Sequence, residues 1–231
     1  MGIWASVLTG IAAGGLMGAL NGVLIHCTGI NFFVLTLASS GMLRGISLMI
    51  TDGKPITKFG KEFMQLGIGR IGEFQVPVLF ALALILLSFP LMFHVKWGNY
   101  VRALGGSESA LKRSGVRTGF YRISVHMLLG ITAAVTAVII TARLNSAEPN
   151  AGMNMELDAI TAVIMGGTPI RGGNASIAGT VLAVLILGSI RNGLTLLSVS
   201  SDFQQWITGF LLLASVLISE IRVWNIKALT K

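Results

Sequence analysis

Six apolar stretches punctuate this chain, at residues 4–26, 32–50, 76–95, 123–142, 176–190 and 205–221. Most approach the ~20 residues that carry an α-helix across about 30 Å of hydrocarbon. No other property limits the fold so tightly, because a segment in lipid must pair every backbone N–H and C=O within itself. The reading is an all-α fold: a polytopic transmembrane helical bundle of about six spans plus one broken or re-entrant segment, forming a single transmembrane domain over residues 1–231. Charged residues make up 11% of the chain, against roughly 25% in soluble domains. Mean hydropathy is +0.80. With 231 residues, six spans leave little chain for a soluble domain.

The first stretch lacks a basic leader and is too long for the apolar part of a signal peptide, so it reads as a retained span. It carries Gly10, Gly14, Gly18 and Gly22. Spaced by four, these lie on one helical stripe that lets a second helix approach closely. The expected use is packing within the chain rather than a dimer contact. Arg44, near the end of the second stretch, is costly against lipid. It is placed to snorkel to the outer headgroups or to pair inside the bundle. Pro90 falls in the last turns of the third stretch, where it kinks a helix.

The loops set direction. Residues 51–75 hold four basic and three acidic side chains, with turn signals at Asp52-Gly53 and Pro55, and read as an external loop. Residues 96–122 gather Lys96, Arg102, Lys112, Arg113, Arg117 and Arg122 against the lone acid Glu108. Short loops rich in Lys and Arg stay in the cytoplasm. The same rule accounts for the net charge of +8 without any nucleic-acid partner. Within this loop, residues 108–114 read as a short helix between glycine breakers at Gly105-Gly106 and Gly115. Counting spans from there makes loop 143–154 external, the N-terminus of the chain external and the C-terminus cytoplasmic. Arg222, Lys227 and Lys231 follow the last span and agree.

Met155–Met165 is apolar but too short to cross. Gly166, Gly167, Thr168, Pro169, Gly172 and Gly173 follow it. Irregular backbone at membrane depth survives only when buried in protein or lining water, and broken helices of this kind build transporter binding sites. Ser176 resumes a helix with Ala175, Gly179 and Ala183 again spaced by four. The ionisable or polar groups in or near the bilayer are Arg44, Glu156, Asp158, Arg171, Arg191 and Asn192. Such groups are functional candidates by default. The structural alternative for Glu156 and Asp158 is pairing with Arg143 at the outer interface.

Several chemistries are missing. GxxxxGK[ST] does not occur, so there is no phosphate cradle of the P-loop kind. His26, His94 and His126 are far apart and no HExxH joins them. A GxSxG elbow is absent. Cys27 stands alone, so neither an internal disulfide nor a cysteine cluster can form. No catalytic residue, metal site or cofactor bound by this chain is expected. Transport or conduction is the class that remains, its energy source open. One alternative is a self-sufficient secondary carrier or channel coupled at Glu156, Asp158 or Arg44.

Four segments carry a resemblance. ELDAITAVIMGGTPIRGGNASIAGT (156–180) and NGLTLLSVSSDFQQ (192–205) resemble the C-terminal signature of ribose-type ABC permeases. ALGGSESALKRSGV (103–116) is similar to that family's cytoplasmic coupling segment, and LTLASSGMLRGISLMITDGKPI (35–56) to the segment before its external loop. The resemblance spans nearly the whole chain in the right order. It implies the transmembrane pathway subunit of an ATP-driven importer for a monosaccharide or related polar solute, in a bacterial inner membrane. Implied partners are an ABC ATPase that binds ATP and magnesium, a second permease subunit (identical or different), and a sugar-binding protein outside. Coupling to the ATPase would fall on Gly105, Gly106, Glu108, Ala110, Lys112, Arg113, Ser114 and Gly115. The translocation path or gate would fall on Arg44, Glu156, Asp158, Gly166, Gly167, Thr168, Gly172, Gly173 and Asn192, with the 166–173 break as a hinge. Two departures stand out. Permeases of this family are typically longer at the N-terminus by several spans, which raises the reading of a truncated, non-functional permease fragment. The proline common before the second span is replaced by Asn31-Phe32.

Overall fold

The computed structural model describes the backbone of residues 2–170 and 172–229, with side chains as far as Ser219. Arg171 and Lys231, and the side chains of Arg222 and Lys227, lie outside the described residues. In chain order the elements are α1 (Ile3–Thr28), α2 (Phe32–Thr51), β1 (Ile56–Thr57), α3 (Lys61–Ile68), β2 (Arg70–Ile71), β3 (Phe74–Gln75) and α4 (Val76–Phe93). They continue as α5 (Lys96–Gly106), α6 (Glu108–Arg113), α7 (Thr118–Leu144), β4 (Ser146–Ala147), α8 (Met155–Met165), α9 (Ile177–Leu196) and α10 (Ser201–Leu229). Six helices are long and apolar enough to cross a membrane: α1, α2, α4, α7, α9 and the Ser201–Ser219 part of α10. The protein is an all-α polytopic membrane protein. Its spans expose large apolar side chains such as Leu16, Leu86, Leu87, Leu182 and Phe210. In a bilayer this surface meets lipid or other protein and costs nothing to expose.

The chain divides into two units, one of Met1–Val101 with Ser109–Gly152, the other of Arg102–Glu108 with Met153–Lys231. The first unit is built on α1 against α7. Gly14, Gly18 and Gly22 bring the two backbones together: a Cβ at Gly14 would sit 2.7 Å from the Gly130 carbonyl oxygen, and one at Gly22 2.8 Å from the Cα of Ile123. At Gly18 a Cβ would run into the carbonyl oxygen of His126. The glycine stripe therefore packs within the chain. Gly10, its first member, faces open space. On α2, Ser39 donates a hydrogen bond to Asn21 Oδ1 of α1 at 2.7 Å.

Both polar loops hold more structure than their sequences predict. The 51–75 loop contains α3, whose Phe63 is buried and whose Gly67 lies against the backbone of Ala142 and Arg143. β1 pairs antiparallel with β4, Ile56 opposite Ala147, which joins loops 51–75 and 143–154 on one face of the unit. In the 96–122 loop, α5 occupies the first 11 residues and α7 already begins at Thr118. Trp97 Nε1 donates to Ser124 Oγ at 2.8 Å, and the rings of Tyr100 and Tyr121 lie 5.1 Å apart. Trp97, Tyr100, Val101 and Leu104 recur at helical spacing, a signal masked because the stretch opens a basic loop; the aromatic contacts on α7 supply the stability that a helix of three turns lacks by itself.

Candidate functional site

The second unit contains the break. α8 has 11 residues, a rise of only about 16 Å, roughly half the hydrocarbon thickness. Its end is closed by paired backbone hydrogen bonds, Gly167 N–H to Ile164 C=O at 2.9 Å and Thr168 N–H to Val163 C=O at 3.1 Å, with Gly167 at φ +92°. A left-handed residue at this position satisfies the last helical carbonyls, and glycine adopts it without strain. The chain turns at Pro169–Gly172, where the Gly172 N–H bonds the Pro169 carbonyl at 2.9 Å, and Ser176 then caps α9 by accepting from the Gly179 N–H at 3.2 Å. Thr168 Oγ1 accepts from the Ser176 N–H at 3.2 Å, closing the loop across its neck. The end of α8 crosses the start of α9 without side chains: a Cβ at Gly166 would meet the backbone of Gly179 and Thr180. Ala162 and Thr161 of α8 and Ala183 of α9 are buried.

At the other end of α8, Asp158 and Arg191 of α9 form a two-pronged ion pair. Asp158 Oδ1 accepts from Arg191 Nη2 and its Oδ2 lies against Nη1, both at 2.8 Å. This fork geometry is the strong form of a carboxylate–guanidinium contact. Arg191 Nη2 also reaches Thr208 Oγ1 of α10 at 3.5 Å. Gln204, one turn earlier on α10, donates to the Val199 carbonyl at 3.0 Å and to Thr195 Oγ1 at 3.4 Å. Three helices are thus stitched by one polar network. Two cavities, of about 290 Å³ and about 390 Å³, adjoin the ion pair, both lined by Asp158, Arg191, Gln204 and Thr208. A third, of about 570 Å³, lies at the break, lined by Gly167, Pro169, Asn174 and Ser215 among others.

The structure brings together only part of the set expected from sequence. Asp158 pairs with Arg191, not with Arg143 as the structural alternative had it. Glu156 is exposed at the start of α8 and Asn192 is exposed on α9, next to Arg191 in sequence but outside the network. Arg44 is half-buried on α2 in the first unit and makes no hydrogen bond or ion pair among the described residues. Gly166, Gly167, Thr168, Gly172 and Gly173 form the break itself. Thr195, Gln204 and Thr208 were not singled out by sequence. The available signal was that a carboxylate and a guanidinium in apolar text each need a partner, which points to Asp158 and Arg191 but not to the neutral groups beside them.

The coupling residues lie on α5 and α6. Gly105 and Gly106 are not breakers outside a helix; they are the last residues of α5, and the Ser107 N–H still bonds the Ala103 carbonyl at 3.0 Å. α6 spans Glu108–Arg113, one residue shorter than expected. It buries Leu111 and exposes Ala110, Lys112 and Arg113, with Ser114 exposed just after. Gly115, at φ +78°, ends it with the same pair of backbone hydrogen bonds that ends α8, from Gly115 N–H to Lys112 C=O and from Val116 N–H to Leu111 C=O. Among the described residues no group of three or more His, Cys, Asp or Glu is arranged to hold a metal.

Residues 1–216 match the family described as branched-chain amino acid transport system / permease component. The ribose import permease protein of Escherichia coli (strain K12) is 37% identical over 217 residues, covering 92% of this chain and 68% of that protein. The D-allose transport system permease protein of the same strain is 35% identical over 217 residues, covering 94% and 67%. Its L-arabinose transport system permease protein is 30% identical over 220 residues, covering 95% and 67%. No solved structure matches.

Proposed function

We propose a role in sugar import from one premise: this chain belongs to the branched-chain amino acid transport system / permease component family. It is a membrane-spanning subunit of an ATP-driven sugar importer. The observation that carries this is the 37% identity to a ribose import permease, running along 92% of the chain. Six membrane-spanning helices agree with it. The solute is a monosaccharide, since the similar proteins carry ribose, D-allose and L-arabinose in their names.

In this reading the chain does no ATP chemistry itself. A separate ATPase with bound ATP and magnesium docks on α6, where Ala110, Lys112, Arg113 and Ser114 are exposed and Leu111 anchors the helix. The basic face of α6 suits acidic groups on that partner. A second permease subunit completes the path, and a binding protein delivers sugar from outside. The basic 96–122 loop and the C-terminus lie in the cytoplasm, with loops 51–75 and 143–154 outside. The path runs beside the broken segment, where Asp158, Arg191, Gln204 and Thr208 offer hydroxyl groups both acceptors and donors. Gly166 to Gly173 supply the movable part of the gate, and Arg44, Glu156 and Asn192 contribute where the second subunit meets this one.

The test is uptake of labelled ribose, D-allose and L-arabinose by cells expressing the chain with its ATPase and binding protein. Accumulation of one sugar that stops when ATP is depleted is the expected result. Accumulation that persists without ATP and follows a proton gradient overturns the reading.

A further inference from the structure

Gly105 and Gly106, at the end of α5, lie against Gly172 and Gly173 in the turn of the broken segment. The contact is reciprocal. A Cβ at Gly105 would strike the Gly173 backbone nitrogen and come within 3.2 Å of the Gly172 Cα. A Cβ at Gly172 would stand 3.0 Å from the Gly105 Cα, and one at Gly173 3.0 Å from the Gly106 Cα. Gly172 and Gly173 also have φ of +78° and +88°, which L side chains rarely adopt. So both halves of the junction are restricted to glycine, for different reasons: Gly105 by space, the turn by space and conformation together.

The neighbours on each side give the junction its meaning. On one side a single residue, Ser107, separates Gly106 from α6. On the other side Gly173 leads within a few residues to Ser176, the cap of α9, and the same loop begins at Gly166, locked against Gly179. We propose that Gly105, Gly172 and Gly173 are positioning residues that carry movement of α6 to the broken segment, through a contact of backbone on backbone. Side-chain contacts absorb small displacements by changing rotamer; a contact with no side chains cannot, and close-packed protein transmits strain. A shift of α6 is therefore delivered to the Pro169–Gly173 turn and onward to the crossing of α8 with α9. This rests on the importer reading above, and supplies the route inside the chain by which its ATPase reaches its gate.

Gly10 provides an internal control. It is also a helical glycine, on α1, and a Cβ there meets nothing within 4 Å. The experiment uses the assembled transporter with its ATPase and compares Gly105→Ala with Gly10→Ala for sugar uptake, ATP hydrolysis and co-purification of the ATPase. Gly105→Ala is expected to lower uptake about tenfold, within the usual span of coupling between sites, while the ATPase stays bound and goes on hydrolysing ATP. Gly10→Ala should stay within about twofold of the unaltered protein, a conversion of less than 0.5 kcal/mol. Equal uptake for Gly105→Ala and Gly10→Ala overturns the inference. Hydrogen exchange on the unaltered complex tests it without a substitution: residues 103–113 and 166–176 should change protection together when ATP is added. A change in 103–113 with none in 166–176 overturns it as well. Failure of the unaltered complex to import sugar with ATP would instead sink the importer reading, so the two failures are distinguishable.

Discussion

The two units place glycine at close contacts in different ways. In the first, Gly14, Gly18 and Gly22 sit mid-helix on α1, with ordinary helical backbone, and meet a second regular helix over three successive turns. In the second, Gly105, Gly166, Gly172 and Gly173 sit at helix ends and in a turn, and two of them have left-handed backbone. The first arrangement zips 26 residues to 27, so it can shift only if whole helices slide. The second joins α8, of 11 residues, to α9 at Gly166, and the end of α5, also of 11 residues, to the turn at Gly172 and Gly173, each through a single point. The same residue type therefore builds a framework in one unit and junctions between short pieces in the other. A transporter needs both, since something must stay fixed while something else moves.

The packing of α1 on α7 is most vulnerable at Gly18. A leucine there would push against the His126 carbonyl, which belongs to helix backbone and cannot turn aside. Gly18→Leu should cost about 3 kcal/mol, the upper end of ordinary overpacking, and should nearly abolish accumulation in the membrane. Gly10→Leu, two stripe positions away with nothing within 4 Å, should stay within about 0.5 kcal/mol. Thermal melting of the two proteins in mild detergent measures the difference. Similar midpoints would mean that α1 and α7 are not zipped as described.

At Arg191 a smaller effect separates the units. Removing its guanidinium leaves Asp158 without its fork, but the side chains are 52% and 28% exposed, so screening reduces the loss to about 1 kcal/mol. Arg191→Ala should lower the melting midpoint modestly and speed hydrogen exchange in α8 and α9 while leaving α1 and α7 unchanged. The double exchange Asp158→Arg with Arg191→Asp should recover part of the loss, as a coupled pair does. If exchange in α1 and α7 quickens as much as in α8, the second unit is not held by its own network.

How far each region was legible follows from the same contrast. The α1 stripe was legible because helical contacts repeat at four residues, and the spans because lipid demands length and apolarity. Loop glycines carry no period. GG at 105–106 and at 172–173 are 67 residues apart in the chain, and nothing local states that they meet; the spelling suggested breakers, whereas Gly105 is helical and glycine for want of space. Similarly, Asp158 and Arg191 each announced a need for a partner, but Arg143 was equally suitable on charge alone. Tertiary packing made that choice, along with the choice of α3 and α5, whose stability comes from Phe63, Trp97 and Tyr100 docking on larger helices rather than from their own short sequences.

The gentlest test concerns α2, which belongs to the framework unit but shares little of its zipper. Its Gly41 and Gly45 face open space, and its described polar tie to α1 is the Ser39–Asn21 hydrogen bond at 2.7 Å. Hydrogen bonds between membrane helices average only about 0.6 kcal/mol, because the separated helices find other partners in the membrane. Ser39→Ala should therefore shift the melting midpoint by no more than that energy implies, and Asn21→Ala by a similar amount, with the double substitution no worse than either alone. That non-additivity is the informative quantity. If the double substitution instead costs the sum of the singles, Ser39 and Asn21 act through different neighbours, and α2 is held by something other than this bond. If the bond is confirmed at this small value, α2 is only loosely held to α1, and its two open glycines mark the face on which another helix can still approach closely.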